Sequence, residues 1–458
     1  MEFDTDEAAL EYLFSATDYE KMQRVRYNAD TFSLDRMRRL LEALGRPDRD
    51  LVSVHVAGTK GKGSTAAMLH AIAMAAGLKT GLYTSPHLVD IRERIRIGSE
   101  DIPAEALRRL IESARPHIER FRAEGDPPTF FEIFTALAFR HFANVGTDLV
   151  VAEVGLGGRL DATNVLAPEV SVLTAISIDH THQLGDTLRA IAAEKAGIIK
   201  PGVPVVSQPQ PREALEVIEE ACRTAGAPLL VIGREVTYEW APASEAGRAG
   251  GGGRLAVRTP RAAYDGLFVP LMGEHQALNA SAAIAAAERV RPLAGRLTPE
   301  TVRRALGEVR WPGRMEWLQG RPDWLLDGAH NRASMERLVE GLSRHFPGRP
   351  MVFVFASAAD KDVDGMLAAL AERAGDAPVV FTRTDNPRAA DPALLAARFG
   401  RFGRTARMGG RTSETAANVS AAIAAARRLA GTEKLVVVCG SLYLVGEAKR
   451  ILEMGECR

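Results

Sequence analysis

A short apolar run, Val54-His55-Val56-Ala57, leads into Gly58-Thr59-Lys60-Gly61-Lys62-Gly63-Ser64-Thr65 and then into an Ala/Met/Leu-rich helical pattern from Ser64 to Ala76. Strand, glycine-rich turn and helix in that order constrain the chain more than any other feature. Glycines let backbone N–H groups approach phosphate oxygens, and the helix N-terminus adds partial positive charge. Lys62 is placed to reach terminal phosphates, and a hydroxyl at Ser64 or Thr65 to assist a metal. The common phosphate loop reads Gly-x-x-x-x-Gly-Lys; here only Thr59 and Lys60 separate Gly58 from Gly61. The competing motif Gly155-Leu156-Gly157-Gly158-Arg159-Leu160 resembles half a dinucleotide fingerprint, but Leu160 stands where the third glycine is needed. NAD or FAD binding is therefore rejected.

The rest of the chain repeats this alternation. Leu51 to Val56, Leu149 to Val154, Val170 to Ile176, Val203 to Ser207 and Leu229 to Ile232 read as buried strands, with helical stretches such as Thr135 to Phe142 between them. The apolar run after Val170 extends to Ile178. Arg254 to Val257 and Tyr264 to Val269 read as a small antiparallel piece, preceded by Gly250 to Gly253 as a mobile loop tip. The strand pattern then restarts with Trp324 to Leu326, Met351 to Phe355, Val379 to Thr382 and Leu435 to Cys439. Trp311-Pro312-Gly313-Arg314 lies between the two sets and favours a turn. The expected architecture is α/β: an N-terminal P-loop-type, mostly parallel sheet domain over 1–312, plus a smaller Rossmann-like C-terminal α/β domain over 313–458.

A chain of 458 residues suits two or three domains. Fifty-eight basic residues balance fifty-eight acidic ones, so any anion is held by a local site, and neither nucleic acid nor an anionic membrane is an expected partner. Cys222, Cys439 and Cys457 are odd in number and far apart, as in a reducing compartment. The acidic N-terminus lacks the basic and apolar regions of a secretory signal, and no apolar run approaches the roughly 20 residues that span a bilayer. A cytoplasmic monomer is the expectation.

Polar groups at other strand ends join the loop. Glu153 closes one strand, His180 follows another in Asp179-His180-Thr181-His182, and Lys195 lies on a helical stretch. In an open parallel sheet, ligands gather beyond the carboxyl ends of the strands, and a carboxylate beside nucleotide phosphates suits Mg²⁺. Taken singly, Glu153 reads equally well as a structural ion pair, and His180 as a capping or packing residue. His182 is given no role.

With these segments, the chain resembles the folylpolyglutamate synthase/dihydrofolate synthase family of Mur-type ATP-dependent ligases from about Tyr27 to about Lys449. Besides the phosphate loop, the resemblance rests on Thr84-Ser85-Pro86-His87-Leu88, Thr129-Phe130-Phe131-Glu132, the run Glu153 to Asn164, Asp179-His180-Thr181 and Glu194-Lys195-Ala196-Gly197. It continues through His275-Gln276-Ala277-Leu278-Asn279, Pro312-Gly313-Arg314, Asp327-Gly328-Ala329-His330-Asn331 and Gly440-Ser441-Leu442-Tyr443.

The resemblance implies roles. Gly58, Thr59, Lys60, Gly61, Lys62, Gly63, Ser64, Asn279, Arg314 and Asp327 would contact ATP. Ser85, Glu153, His180 and Lys195 would hold Mg²⁺ at two sites, with Lys195 carbamylated by CO₂. Thr129, Glu132, Leu160, Asp161 and Ala162 would line the pterin-carboxylate acceptor, and His330 and Ser441 the glutamate side. Lys62, Lys195 and His330 would act in catalysis. The segment Asn28-Ala29-Asp30-Thr31-Phe32-Ser33-Leu34-Asp35 would help bind dihydropteroate. Asp360-Lys361-Asp362 also recurs in the family but reads equally as a solvated turn. Family members often carry Asn where this chain has Lys60.

The implied reaction is ATP-dependent joining of L-glutamate to dihydropteroate or reduced folate through an acyl phosphate, under a closing second domain that excludes water. One rival is a Mur ligase acting on another, UDP-linked acceptor. Only 57 residues precede Gly58, short of the ~100 of an added domain. Another is a P-loop kinase or nucleotide-driven switch, which would not need a second α/β unit bearing Asp327, His330 and Ser441.

Overall fold

The computed structural model describes residues 3–19, 28, 31–243, 251–402 and 413–456. Among them, β1 (Ser53–Ala57), β2 (Thr80–Tyr83), β3 (Ile95–Ile97), β4 (Glu100–Asp101), β5 (Leu149–Glu153), β6 (Val170–Leu173), β7 (Val205–Ser207) and β8 (Leu229–Val231) form one sheet. Its order is β4-β3-β2-β5-β1-β6-β7-β8, parallel from β2 to β8 and antiparallel only at the β3 and β4 edge. The central strands are buried on both faces, which explains their unbroken apolar runs.

Alternation along these strands divides two cores. Val54, Val56 and Val151 face the helices Lys62–Ala75 and His275–Ala287, whereas Val150 and Ala152 face Phe134, Phe139 and Ile111 on the opposite layer. Alanines on the first pair of helices, among them Ala66, Ala73, Ala280 and Ala283, are fully buried and bring the two backbones together. That approach carries Asn279 under the phosphate loop. The helix Phe130–Val145 starts earlier than its apolar period alone indicates, because Thr129 and Glu132 form a reciprocal capping box.

A second sheet, β9 (Thr237–Pro242), β10 (Gly253–Arg258) and β11 (Ala263–Val269), is antiparallel as expected. The glycine run before it departs from expectation. Gly251, Gly252 and Gly253 are buried, and Gly253 opens β10, paired with Pro242 and Val269. A side chain on Gly252 would meet the Val269 carbonyl, and one on Gly253 the Trp240 ring. These glycines serve close packing. Gly250 lies outside the described residues, as do Tyr27, Ala29, Asp30 and Cys457.

The third sheet contains β12 (Glu316–Leu318), β13 (Asp323–Leu326), β14 (Met351–Phe355), β15 (Val379–Phe381), β16 (Ser413–Thr415) and β17 (Leu435–Cys439). Its order, β12-β13-β17-β14-β15-β16, is parallel except for β12. Helices cover both faces over separate apolar clusters. No helix among the described residues is long and apolar enough to cross a membrane. Cys222 and Cys439 are buried free thiols.

Candidate active site

Strand register sets the first half of the site. Val56 pairs with Glu153, Ala57 with Leu173, and Tyr83 with Ala152. The carboxyl ends of β2, β5, β1 and β6 therefore deliver Ser85, Glu153, the Gly58–Ser64 loop and residues 174–180 to one edge. The helix begins at Lys62, two residues before the sequence pattern indicates, with Gly61 as its left-handed cap at φ 89°. A side chain on Gly58 would collide with Thr174, and one on Gly61 with the Asn279 side chain.

Residues 174–178 do not continue β6, contrary to the apolar reading through Ile178. Side-chain amides replace the strand ladder: Ala175 N–H donates to Gln208 at 3.0 Å, and Ile176 N–H to Gln210 at 2.9 Å. The Ala175 carbonyl accepts from the Thr59 and Lys60 amides at 3.0 and 3.1 Å. Gln208 also donates to Asn279 Oδ1 at 2.8 Å, while Asn279 donates to Gln276 at 2.8 Å. Asn279 thus braces the loop from below. Gln208 and Gln210 belong to this scaffold and carry no local motif that singles them out.

Glu153 is 5% exposed. One oxygen accepts from Ser85 N–H at 3.3 Å; the other lies 3.9 Å from Lys62 Nζ. Burial pushes its pKa up, opposed by Lys62, the Ser85 amide and Arg314, while Asp161 raises it further. Asp327 is raised by burial too, against Arg314 and the amides of Met315 and Ala329, which it accepts at 2.8 Å each. Asp161 is again raised by burial, although it accepts from Leu156 N–H at 2.9 Å and Thr163 N–H at 3.0 Å. Three carboxylates in one region are less compensated by protein charge than water would leave them. Such a site favours added cations.

Lys195, on the helix Leu188–Ala196, is 4% exposed and donates to the Gly58 carbonyl at 2.8 Å. Burial, reinforced by Lys62, pushes its pKa down to about 7 against Asp179 and Asp161. Lys60 is half-buried near Asp179 of the first half and Glu336 and Arg337 of the second. Burial, with Arg337, lowers its pKa to about 8. The added charge therefore faces the junction between the halves.

A cleft of about 710 Å³ runs between the two halves. The first half lines it with Ser85, Thr129, Glu132, Leu160, Asp161, Ala162 and His180, and with Phe32, Ser33 and Leu34 of the N-terminal segment; the second adds Arg314, His330, Lys361 and Ser441. Lys62, Glu153, Lys195, Asn279 and Asp327 are not among the residues that line it. Asn331 reaches across to donate to Asp179 at 2.9 Å. His330 Nδ1 bonds the Gly328 carbonyl at 2.8 Å, and burial lowers its pKa to about 4. Asp360 is paired with Arg388 at 2.9 Å and Asp362 caps the helix Val363–Ala374, so this segment is a built turn on the cleft wall. Glu132 lines the cleft, yet its carboxylate is already engaged by Arg36 Nε at 2.9 Å and by Thr129 N–H at 2.8 Å. His180, a left-handed residue at φ 50°, is exposed to the cleft. Among the described residues, no three His, Cys, Asp or Glu side chains converge tightly enough to hold a metal unaided.

Comparison with known proteins adds to this geometry. Residues 56–287 match the Mur ligase middle domain, and residues 313–442 match the Mur ligase glutamate ligase domain. The dihydrofolate synthase/folylpolyglutamate synthase of Bacillus subtilis is 34% identical, over 92% of this chain and 95% of its own. A Haloferax volcanii protein named "Probable bifunctional folylpolyglutamate synthase/dihydropteroate synthase" is 38% identical over 90% of this chain; the chain spans about half (47%) of that relative's length. The structure of Mycobacterium tuberculosis folylpolyglutamate synthase complexed with ADP superimposes with a TM-score of 0.85 at 34% identity, covering 98% of this chain and 99% of that one.

Proposed function

The chain belongs to the folylpolyglutamate synthase/dihydrofolate synthase family of Mur-type ligases, and from that premise we propose that it joins L-glutamate to dihydropteroate and to reduced folates, using ATP. The observation that carries this reading is the cleft itself. Ser85 lines one wall, with Glu153 bonded to its amide and Lys62 3.9 Å from Glu153, and Arg314, His330 and Ser441 line the other. We divide the chain at residue 312 into an ATP-binding unit with the acceptor site and a glutamate-ligase unit. The reaction runs in the cytoplasm, with a monomer as the working unit and neither nucleic acid nor membrane as a partner.

A carboxylate oxygen is a poor leaving group, so the acceptor needs activation before an amine can displace it. In this reading the Gly58–Ser64 loop, Asn279, Arg314 and Asp327 position ATP. Lys62 offsets charge as the γ-phosphoryl passes to the acceptor carboxylate, giving an acyl phosphate and ADP. Thr129, Leu160, Asp161 and Ala162 shape the acceptor side, with the segment 31–35. Glutamate's amine then forms the amide and releases phosphate. His330 lies on the glutamate side with Nδ1 donating to the Gly328 carbonyl, which leaves Nε2 as the ring nitrogen that would accept a hydrogen bond from that amine. Ser441 lies on the same side, and closure of the halves excludes water.

Glu153 and Ser85 fit Mg²⁺. The Glu153 carboxylate is buried, raised in pKa and only 3.9 Å from one ammonium, and Mg²⁺ takes few protein ligands beside phosphates and water. Bound there, the ion would neutralise developing charge on the phosphate oxygens. His180 and a carbamate on Lys195 would serve a second ion. Lys195 suits carbamylation: its N–H would keep the Gly58 carbonyl while the new carboxylate replaced a positive charge beside Lys62. The unprotonated amine attacks CO₂ and loses a proton, so carbamate should form above about pH 7 and fade below it. Mass spectrometry of cyanate-free protein trapped under labelled CO₂ should find the label on Lys195. Activity of Lys195→Ala should recover in part with added short carboxylic acids. Full activity of that variant without them would end the carbamate assignment.

The function is tested with ATP, Mg²⁺ and glutamate, supplying dihydropteroate and tetrahydrofolate separately. Glutamylated product is expected from both. Turnover of tetrahydrofolate alone reduces the reading to a polyglutamate synthase. Phosphate release without either acceptor would favour a kinase-like switch.

A further inference from the structure

We infer that Leu88 is a positioning residue that fixes Ser85 and Arg314 relative to each other across the two halves; the inference rests on the ligase reading above. Ser85 begins a segment tied down at both ends. Its amide donates to Glu153, and further along the Glu93 carboxylate accepts the amides of Leu88, Val89 and Asp90 at 2.8 Å each. Asp90 and Glu93 also form a reciprocal capping box. Three consecutive amides on one carboxylate leave this stretch little backbone freedom.

Leu88 then leaves its own half. Its side chain packs against the apolar cluster between the third sheet and the helix Leu442–Glu456. Two glycines make the socket. A side chain on Gly446 would overlap the Leu88 carbonyl, and one on Gly313 would stand 3.3 Å from both Leu88 methyl carbons. Val445 flanks the same contact. Glycine inside a helix is disfavoured against alanine, and at Gly446 the missing methyl is what allows the approach. Gly313 has φ 70°, accepts from Gly328 N–H at 2.8 Å, and immediately precedes Arg314. Leu88 therefore belongs to the tied-down segment that begins at Ser85, and its side chain lies against the turn that carries Arg314. Neither motif on its own reveals the contact, because Leu88 and Gly446 are more than 300 residues apart.

The test compares Leu88→Ala, Leu88→Met and Gly446→Ala with wild type. Loss of a positioning contact should lower kcat by about tenfold or more in Leu88→Ala and Gly446→Ala, while KM for ATP moves less than about threefold. Leu88→Met, which refills the socket, should keep kcat within about threefold. Hydrogen exchange followed by mass spectrometry should speed up in Leu88→Ala at both 85–90 and 313–316. Unchanged kcat in Leu88→Ala, or a Leu88→Met no better than Leu88→Ala, overturns the inference. So does exchange that rises on one side alone. If wild type glutamylates no acceptor, the ligase reading fails, and the exchange result still decides whether Leu88 couples the two segments.

Discussion

Replacing Lys62 by alanine is expected to lower ligation turnover by about 10²–10³-fold, the loss seen when one preorganised group that stabilises transition-state charge is removed. The fold should survive, because Lys62 starts a helix and its closest carboxylate is 3.9 Å away. Glu153→Gln should lose turnover to a similar degree while raising the melting temperature of the nucleotide-free protein near neutral pH. The reason is the sign of the Glu153 shift. Burial raises its folded pKa above the ordinary 4.5, so its contribution is fully present below 4.5 and is lost as pH rises through the raised value. A neutral amide of the same shape escapes that loss. Thermal melts at acid and neutral pH, beside initial-rate assays, check both halves of the expectation. A Gln variant that melts lower than wild type at neutral pH would mean that Glu153 stabilises the fold as an ion pair.

Glu132→Ala is expected to destabilise the first half by about 3 kcal/mol or more, the usual result of breaking a buried ion pair by removing one partner. Arg36 and Glu132 are both buried, with side-chain exposures of 8% and 7%. Asp126 remains bonded to Arg36 at 3.1 Å, which keeps the loss toward the lower end. The same substitution removes half of the capping box that starts the helix Phe130–Val145. Urea unfolding followed by far-ultraviolet circular dichroism measures the change. Wild-type stability with a raised KM for the acceptor would instead make Glu132 a substrate contact, as the resemblance alone implies.

That contrast shows where sequence reasoning stopped. Strand-end chemistry was legible because parallel strands place their functional groups at one edge, so Gly58, Glu153 and the residues after Leu173 converge once the register is known. The strands β1, β5 and β6 were legible because burial on both faces demands unbroken Val, Ile and Leu, whereas β2, equally buried, was missed because Thr80-Gly81-Leu82-Tyr83 interrupts such a run. Edge elements such as β3 and β4 are short and mixed in character, and they were missed. Residues 174–178 misled, since the apolar run gave no sign that Gln208 and Gln210 would take over its backbone hydrogen bonds. Gly251 to Gly253 misled for the opposite reason: glycine marks close packing as readily as a loop tip, and only neighbours such as Trp240 and Met272 decide which. The long-range roles of Glu132, Asn279 and Leu88 depend on partners more than 70 residues away in sequence.

The central claim is that this cleft activates an acceptor carboxylate by phosphoryl transfer before glutamate attacks. Isotope transfer tests it most directly. Tetrahydrofolate or dihydropteroate labelled with ¹⁸O in the reacting carboxylate is supplied with unlabelled ATP, Mg²⁺ and glutamate, and the released phosphate is analysed by mass spectrometry. An acyl phosphate breaks its carbonyl carbon–oxygen bond when the amine attacks, so one labelled oxygen per turnover should appear in inorganic phosphate. Unlabelled phosphate, or label recovered in AMP, would contradict the account.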